Sequence, residues 1–360
     1  MKRFQAPTMI ISGTGAISAL AEFHPQRLMI VTDPYFHENG TAATLGAASK
    51  AEKIEYFTDI RPDPTVELAA AGTAALKAFD PDVLVALGGG SAMDCAKAML
   101  YFSGSEALLI AIPTTSGSGS EVTDFSILTH NGVKHPLIDP KLRPKAAILD
   151  SDLLQSLPSK LIADTGFDAL SHAAEAFVAT GAGAISDCLA KEAFCTVLAQ
   201  LPASYGGSSA VRLRIHEAST MAGLAFTQAG LGLCHALSHA LGGMYHIPHG
   251  RLNAILLPAV IGCNAHAAGE KYAKLSAAAG LVGNAPAIAV RNLKNALVRL
   301  RRELNLPATL QQAGINPLQL RRDTEKIVKA ALADPCCETN PQRVEDFMIR
   351  RILEEVAGRA

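Results

Sequence analysis

The stretch DVLVALGGGSAMDCAKAMLYF, Asp82 to Phe102, contains an apolar run, a glycine turn and a helical pattern in direct succession. Asp82 to Leu87 reads as a strand and Ala92 to Phe102 as the helix that follows it. Between them Gly88, Gly89 and Gly90 remove the Cβ atoms that would block a pyrophosphate. Backbone N–H groups and the start of the helix can then face its negative charge. Ser91 is placed to act as N-cap, with Asp94 three positions on in a capping-box-like arrangement. The alternative is a plain strand-to-helix turn, which rarely needs three consecutive glycines. The pattern is not the G-x-G-x-x-G fingerprint.

Working outward, the same alternation recurs. Candidate strands are Thr8 to Ser12, Arg27 to Thr32, Lys53 to Phe57, Leu108 to Ile112 and Ala146 to Leu149, with a helical pattern at Val66 to Phe79. Such alternation specifies an α/β fold with a doubly wound, Rossmann-like, mainly parallel sheet. After Pro158 the texture changes to successive helical patterns: Lys160 to Ala179, Ile185 to Leu201, Val211 to Thr227, Leu252 to Ala267, Ala287 to Leu304 and Leu318 to Ala333. The expected domains are therefore 1–157, an α/β nucleotide-binding domain, and 158–360, all-helical, with no internal repeat. A parallel sheet presents nucleotide-binding loops at its carboxyl edge, and a helical domain can close a cleft over them, so chemistry is expected where the two meet.

Two further positions in the first half suit a dinucleotide. The loop Pro113-Thr114-Thr115-Ser116-Gly117-Ser118-Gly119-Ser120-Glu121 leaves the strand ending at Ile112 and offers hydroxyl and N–H groups to ribose and phosphate oxygens. By itself a Ser/Thr/Gly run is more often a flexible surface loop. Asp33 follows the strand Arg27 to Thr32, where a carboxylate can accept from an adenosine ribose 2′-OH and repel a 2′-phosphate, favouring NAD over NADP. An Asp ending a strand is equally a common turn residue.

The second half carries candidate metal ligands. Asp168 and His172 lie four apart in TGFDALSHAAEAF, His235 and His239 repeat that spacing in CHALSHALGGMYHIPHG, and His249 follows in a Pro-His-Gly turn. Residues four apart share a helix face, so each pair can point into one cavity. Fe²⁺ and Zn²⁺ both accept a mixed nitrogen and oxygen set and leave a position for a substrate oxygen. An isolated Asp/His pair is more often a helix-stabilising contact.

Composition narrows the classes. With 360 residues, 49% hydrophobic and 18% charged, the chain can bury large cores, which favours a globular protein. Its net charge of −1 supplies no pull toward nucleic acid or an anionic membrane. The basic stretch Arg291 to Arg302 has Leu293, Leu297 and Leu300 at helical spacing and reads as the wet face of an amphipathic helix. The first residues, MKRFQAPTMIISGTG, lack a secretory pattern, and no run approaches the roughly 18 apolar residues of a membrane span. Seven Cys without a C-x-x-C pair indicate neither a disulfide framework nor a cysteine zinc site, so a reducing cytoplasm is expected.

Taken in order, GGGSAMDCAKA, IPTTSGSGSE, AILDSDLLQSLPSKLIADTGFDALSHAAEAF and GLGLCHALSHALGGMYHIPHG resemble the iron-containing (group III) alcohol dehydrogenase family over nearly the whole chain. Within it, ISGTGAISAL, RPDPTVE, GGGSAMD and AALAD followed by TNPQR are most similar to the 1-propanol dehydrogenases of propanediol utilisation, then to the ethanolamine-utilisation alcohol dehydrogenases. The resemblance implies a dehydroquinate-synthase-like fold and metal ligands at Asp168, His172, His235 and His249, with iron bound, or zinc in its place. It implies NAD contacts at Asp33, Gly88, Gly89, Gly90, Ser91, Asp94, Thr114, Thr115, Ser118 and Lys134, where Ser118 replaces the more usual threonine and keeps its hydroxyl. His239 matches the histidine implicated in proton transfer, and Phe226 an aromatic residue of the substrate pocket. The connection from Phe102 to Leu108 is short beside the family pattern. The implied reaction is NAD(H)-dependent interconversion of short primary alcohols and aldehydes, reducing propionaldehyde or acetaldehyde to 1-propanol or ethanol. A homodimer associated with a bacterial microcompartment is implied as well. Rival readings are a polyol or lactaldehyde dehydrogenase, a dehydroquinate-synthase-like lyase, and a non-catalytic NAD- or metal-binding module. The lyase would need several Lys or Arg near the metal, and Arg251 is the one cation close to His249.

Overall fold

The structure, a computed structural model, describes residues 3–130, 133–283 and 285–358. The chain forms two compact units: Gln5–Leu157 is the first, and the residues from Pro158 onward, joined by Arg3 and Phe4, are the second. In the first, the elements in chain order are β1 (Met9–Gly13), β2 (Arg27–Val31), α1 (Pro34–Glu38), α2 (Thr41–Ser49), β3 (Lys53–Phe57), α3 (Val66–Phe79), β4 (Val83–Gly88), α4 (Gly90–Ser103), β5 (Leu108–Pro113), β6 (Phe125–His130), β7 (Val133–Ile138) and β8 (Ala146–Asp150).

Six strands form one parallel sheet in the order β1-β8-β5-β4-β2-β3. Successive side chains of a strand point to opposite faces. Accordingly Leu28, Ile30, Val83, Val85, Ile110 and Ile148 pack into one core. Met29, Val31, Leu84, Ala86, Leu109 and Ala111 enter another with Ala69, Leu76 and Met99. Each buried Leu, Ile or Val contributes about 1.5–3 kcal/mol. The chain runs outward from β2 to β3, then returns past β2 to β4. That reversal opens a crevice outside the carboxyl ends of β2 and β4, where doubly wound sheets take their ligands. An antiparallel hairpin of β6 and β7 was not among the expected strands.

The second unit holds α5 (Ser159–Val178), α6 (Ala184–Tyr205), α7 (Arg212–Ala229), α8 (Leu233–Tyr245), α9 (His249–Ala278), α10 (Pro286–Glu303), α11 (Pro317–Leu332) and α12 (Asp346–Val356). Among its described residues the regular elements are all helices. α5 packs against α6, α7 and α9, and its residues 166–178 are all buried. A helix buried all round is normally apolar. Here Asp168, His172 and Glu175 lie inside at i, i+4 and i+7, on one face, and a buried charge must be paired or hold a metal.

α9 begins earlier and ends later than the expected Leu252 to Ala267. By length and composition it could cross a membrane, contrary to the expectation from the sequence, yet 67% of the qualifying window is buried inside the structure. It is a core helix here. Pro258 lacks the N–H that would bond the carbonyl of Ala254, and Arg301 Nη1 donates to that oxygen at 3.3 Å instead.

Candidate functional site

In the first unit, the turn after β4 and the loop after β5 run side by side, since Thr114 N–H donates to the Gly88 carbonyl at 3.0 Å. A Cβ at Gly89 would lie 3.2 Å from Thr115 Oγ1, and one at Gly90 3.4 Å from Ser118. Gly88 has φ +152°, and a Cβ there would meet Ala92 Cβ at 2.7 Å, so the turn requires glycine. Ser91 is not the N-cap. α4 starts at Gly90 with Gly89 as N-cap, a residue that has no side chain to cap it. The glycine backbone enters the helix two residues earlier than a Ser91 cap would allow. The consequence favours an anion, because the N-cap residue itself puts no side chain on the first N–H groups of α4.

Asp94 likewise makes no capping box. Its carboxylate accepts from Ser120 Oγ at 3.3 Å, and burial raises it to about 6 against the lowering pull of Lys97 and of more distant Lys134. Lys97 is 1% exposed and donates to Ser120 Oγ at 3.2 Å, Thr123 Oγ1 and carbonyl at 3.0 Å each, and the Phe125 carbonyl at 2.8 Å. It thus clamps α4 to the chain that follows the hydroxyl loop. The sequence reading quoted it without assigning it a part. Asp33 stands beyond β2 and caps α1, accepting from Phe36 N–H at 3.2 Å. The turn-residue reading therefore holds, and it leaves the carboxylate at the crevice end of β2. Lys134 lies on β7 and pairs with Asp63 at 2.7 Å.

In the second unit, Asp168 Oδ1 is a point of convergence. His249 Nε2 lies 3.6 Å from it, His235 Nε2 3.8 Å and His172 Nδ1 4.0 Å. Two ligands ~2.1 Å from one cation at a tetrahedral angle stand roughly 3.4 Å apart, so these separations fit a shared ion. Asp168, His172 and His235 have donor atoms mutually within 4.8 Å. His249, the first residue of α9 after Pro248, meets Asp168 but lies outside that tighter trio. Burial would raise Asp168, yet His172 foremost, then His249 and His235, hold it well below the usual carboxylate range. Burial opposes charge on His235 too, but the nearby carboxylates of Asp168 and Glu175 lift it to about 9. Burial pushes His249 well below its ordinary value against the pull of Asp168. A buried spot that favours positive charge, surrounded by nitrogen and oxygen donors, suits a borderline divalent cation.

Two supporting residues escaped the sequence reading. Glu175 accepts from the N–H groups of Gly232 and Cys234 at 3.1 and 2.7 Å and from His235 Nδ1 at 2.6 Å. It caps α8 and aims His235 Nε2 toward Asp168. Asn253 donates to Asp168 Oδ1 at 2.9 Å and accepts from Ser238 Oγ at 2.5 Å. Spacing gave a signal for both, since Glu175 is three residues after His172 and Asn253 four after His249. Phe226 is buried and stacks on His172 with centroids 4.5 Å apart. His239 points elsewhere. It stacks on His249 at 5.1 Å, and its Nδ1 meets Asp334 Oδ2 at 2.8 Å. Arg251, the cation a lyase reading would use, is held bidentately by Asp164 at 3.1 and 2.6 Å.

Comparison with known proteins shows the family of the chain. The iron-containing alcohol dehydrogenase pattern matches residues 7–151, and the C-terminal pattern of the Fe-containing alcohol dehydrogenase family matches 162–357. The 1-propanol dehydrogenase PduQ of Salmonella typhimurium is 40% identical over 371 residues, covering 99% of this chain and 100% of that one. The solved iron-containing alcohol dehydrogenase of Thermococcus thioreducens aligns with TM-score 0.92 at 30% identity, over 98% of this chain and 99% of its own. Sulfoacetaldehyde reductase from Bifidobacterium kashiwanohense, solved in complex with NAD⁺, aligns with TM-score 0.88 at 28% identity over 99% of both chains. The chain belongs to the iron-containing alcohol dehydrogenase family. It is an oxidoreductase that interconverts alcohols and aldehydes.

Proposed function

We propose that the protein uses NAD(H) and Fe²⁺ to interconvert short primary alcohols and aldehydes, reducing propionaldehyde or acetaldehyde to 1-propanol or ethanol. The convergence of Asp168, His172, His235 and His249 beside Phe226, with His239 left outside the cluster, is the observation that carries this reading. Those four are the metal ligands, and residues 158–360 are the metal-binding domain. Residues 1–157 bind the dinucleotide through the N–H groups of Gly88, Gly89, Gly90 and Ser91, the hydroxyls of Thr114, Thr115 and Ser118, and the polar side chains of Asp94 and Lys134. Asp33 selects NAD over NADP by repelling a 2′-phosphate.

When bound, the cation supplies Lewis acidity to the substrate oxygen and the nicotinamide supplies or accepts hydride. The chain's own groups do the rest. His239 gives the proton to the product oxygen in reduction and takes it in oxidation. Phe226 packs on His172 and offers an apolar wall to a short alkyl chain, while Glu175 and Asn253 hold His235 and Asp168 in place. The protein acts in the cytoplasm as a homodimer, and the PduQ likeness supports association with a microcompartment. The lyase rival is disfavoured because Asp164 already occupies Arg251.

The test is an NADH-coupled panel of two- to four-carbon aldehydes and alcohols with apo-protein reconstituted separately with Fe²⁺ and Zn²⁺. Turnover is expected with at least one metal. His249→Ala should lose metal, and His239→Ala should keep metal and lose rate. A metal-loaded protein that leaves nicotinamide absorbance unchanged across the panel would overturn the reading.

A further inference from the structure

We propose that Asp334 is a positioning residue for His239, fixing the imidazole with its proton on Nδ1 so that Nε2 is the nitrogen that exchanges a proton with substrate. This inference rests on the proton role given to His239 above. AALAD, which ends at Asp334, and TNPQR, which begins at Thr339, stood out in the sequence without a function of their own.

Asp334 follows α11 and starts the short 3-10 helix Pro335–Thr339, and its two oxygens have separate tasks. Oδ1 accepts from Cys336 N–H at 2.9 Å, a cap; Oδ2 accepts from His239 Nδ1 at 2.8 Å. An ionised carboxylate can only accept, so Nδ1 must carry a hydrogen. The other ring face is fixed as well, by the stack on His249 at 19° between planes. The carboxylate is itself anchored. Thr339 Oγ1 donates to the Leu231 carbonyl at 2.8 Å, Asn340 Oδ1 accepts from Leu233 N–H at 3.2 Å, and Asn340 Nδ2 donates to Asn264 Oδ1 at 3.1 Å. The segment after Asp334 is thereby tied to the start of α8 and to α9, the helices that carry His239 and His249.

A cation held by His239, Asp334 and Cys336, whose donor atoms lie within 4.8 Å of one another, is the competing use of this cluster. It is the weaker one. His239 and Asp334 already satisfy each other, and burial, then the Asp334 charge, pushes the Cys336 thiol well above its ordinary value, away from the thiolate a metal needs.

Asp334→Asn is the decisive variant. Asn keeps an oxygen for the Cys336 cap but can turn an N–H toward Nδ1, favouring the opposite tautomer, with the hydrogen on Nε2. In metal-loaded enzyme kcat is expected to fall about 10²- to 10⁴-fold, the range of general acid–base catalysis, with little change in KM, metal content or thermal midpoint. Asp334→Glu, which retains a carboxylate, should recover part of the loss. If Asp334 acts through His239, the double variant Asp334→Asn/His239→Asn should be no slower than His239→Asn alone. Full kcat in folded Asp334→Asn, additive losses in the double variant, or a second bound ion that Asp334→Asn removes would each overturn the inference. Full rate in His239→Asn would instead remove the proton role on which it rests.

Discussion

Lys97 shows how a single residue can link local stability to the cofactor end of the sheet. Its ammonium is buried under four oxygens of residues 120–125, and desolvation lowers it to about 8 from 10.5, against the raising influence of Asp94. Between those values the unfolded chain binds this proton more tightly than the folded chain does, so the Lys97 contribution to stability rises with pH from about 8 to 10.5. Its span is on the order of 3 kcal/mol. Lys97→Met should be less stable near pH 7, because the loop oxygens lose their donor, and should lack this component. Urea unfolding of both proteins from pH 7 to 10.5 checks it. Parallel profiles would mean that the folded protein does not depress Lys97. Glu175 illustrates a second kind of residue-scale control. At 3% exposure it serves two elements, closing the start of α8 and setting the ring of His235, so the helix that carries this proposed ligand is capped by the carboxylate that orients it.

At the scale of elements, the metal cluster depends on how closely α9 crosses α5. A Cβ at Gly250 would lie 1.8 Å from the Asp164 carbonyl oxygen and 3.2 Å from Asp168 Cβ. The first of these is backbone and cannot rotate away. Gly250→Ala is therefore expected to drive the start of α9 from α5, costing about 2–4 kcal/mol, toward the upper end of overpacking effects, and carrying His249 from Asp168. Denaturant unfolding and metal analysis of the purified variant measure both consequences. Wild-type stability with full metal would show that the crossing has slack. The elements themselves were largely legible. Apolar runs and Ala-rich periodicity marked the six sheet strands and most long helices, because burial on one or both faces writes itself into local spacing. The β6–β7 hairpin was missed although DFSILTH and VKHPLI flank Asn131–Gly132, a two-residue hairpin signal. Among the candidate site residues, the i, i+4 pairs pointed to Asp168, His172 and His235, whose donor atoms the structure brings together. Spacing alone treated His239 as the partner of His235; only the 95-residue pairing with Asp334 shows its different attachment, and no periodicity reports such a distance. Ser91 misled because capping preference favours serine, whereas the turn after β4 is built by three glycines.

Across the whole molecule, the proposed metal ligands and the proposed anion-binding backbone belong to different units. Asp168, His172, His235 and His249 come from α5, α8 and α9, all beyond Pro158, whereas the glycine turn, the hydroxyl loop and Asp33 precede Leu157. The pyrophosphate and ribose contacts, which would supply most dinucleotide affinity, therefore require no metal ligand. The two functions should separate on chelation. Exhaustive removal of metal is expected to abolish turnover while NADH affinity, followed by nicotinamide fluorescence, stays within about an order of magnitude, or ~1.4 kcal/mol. Metal binds the folded helical unit in preference to the unfolded chain, so its removal should also lower thermal stability. The loss is about 2.7 kcal/mol for an ion present at a hundredfold its dissociation constant. Restoring Fe²⁺ or Zn²⁺ should return the stability with either ion, since both accept these nitrogen and oxygen donors, and return the rate with the ion that the chemistry uses. Loss of NADH binding in parallel with metal would show that the cofactor is held chiefly from the metal side, and would remove the glycine turn and Asp33 from the centre of dinucleotide recognition.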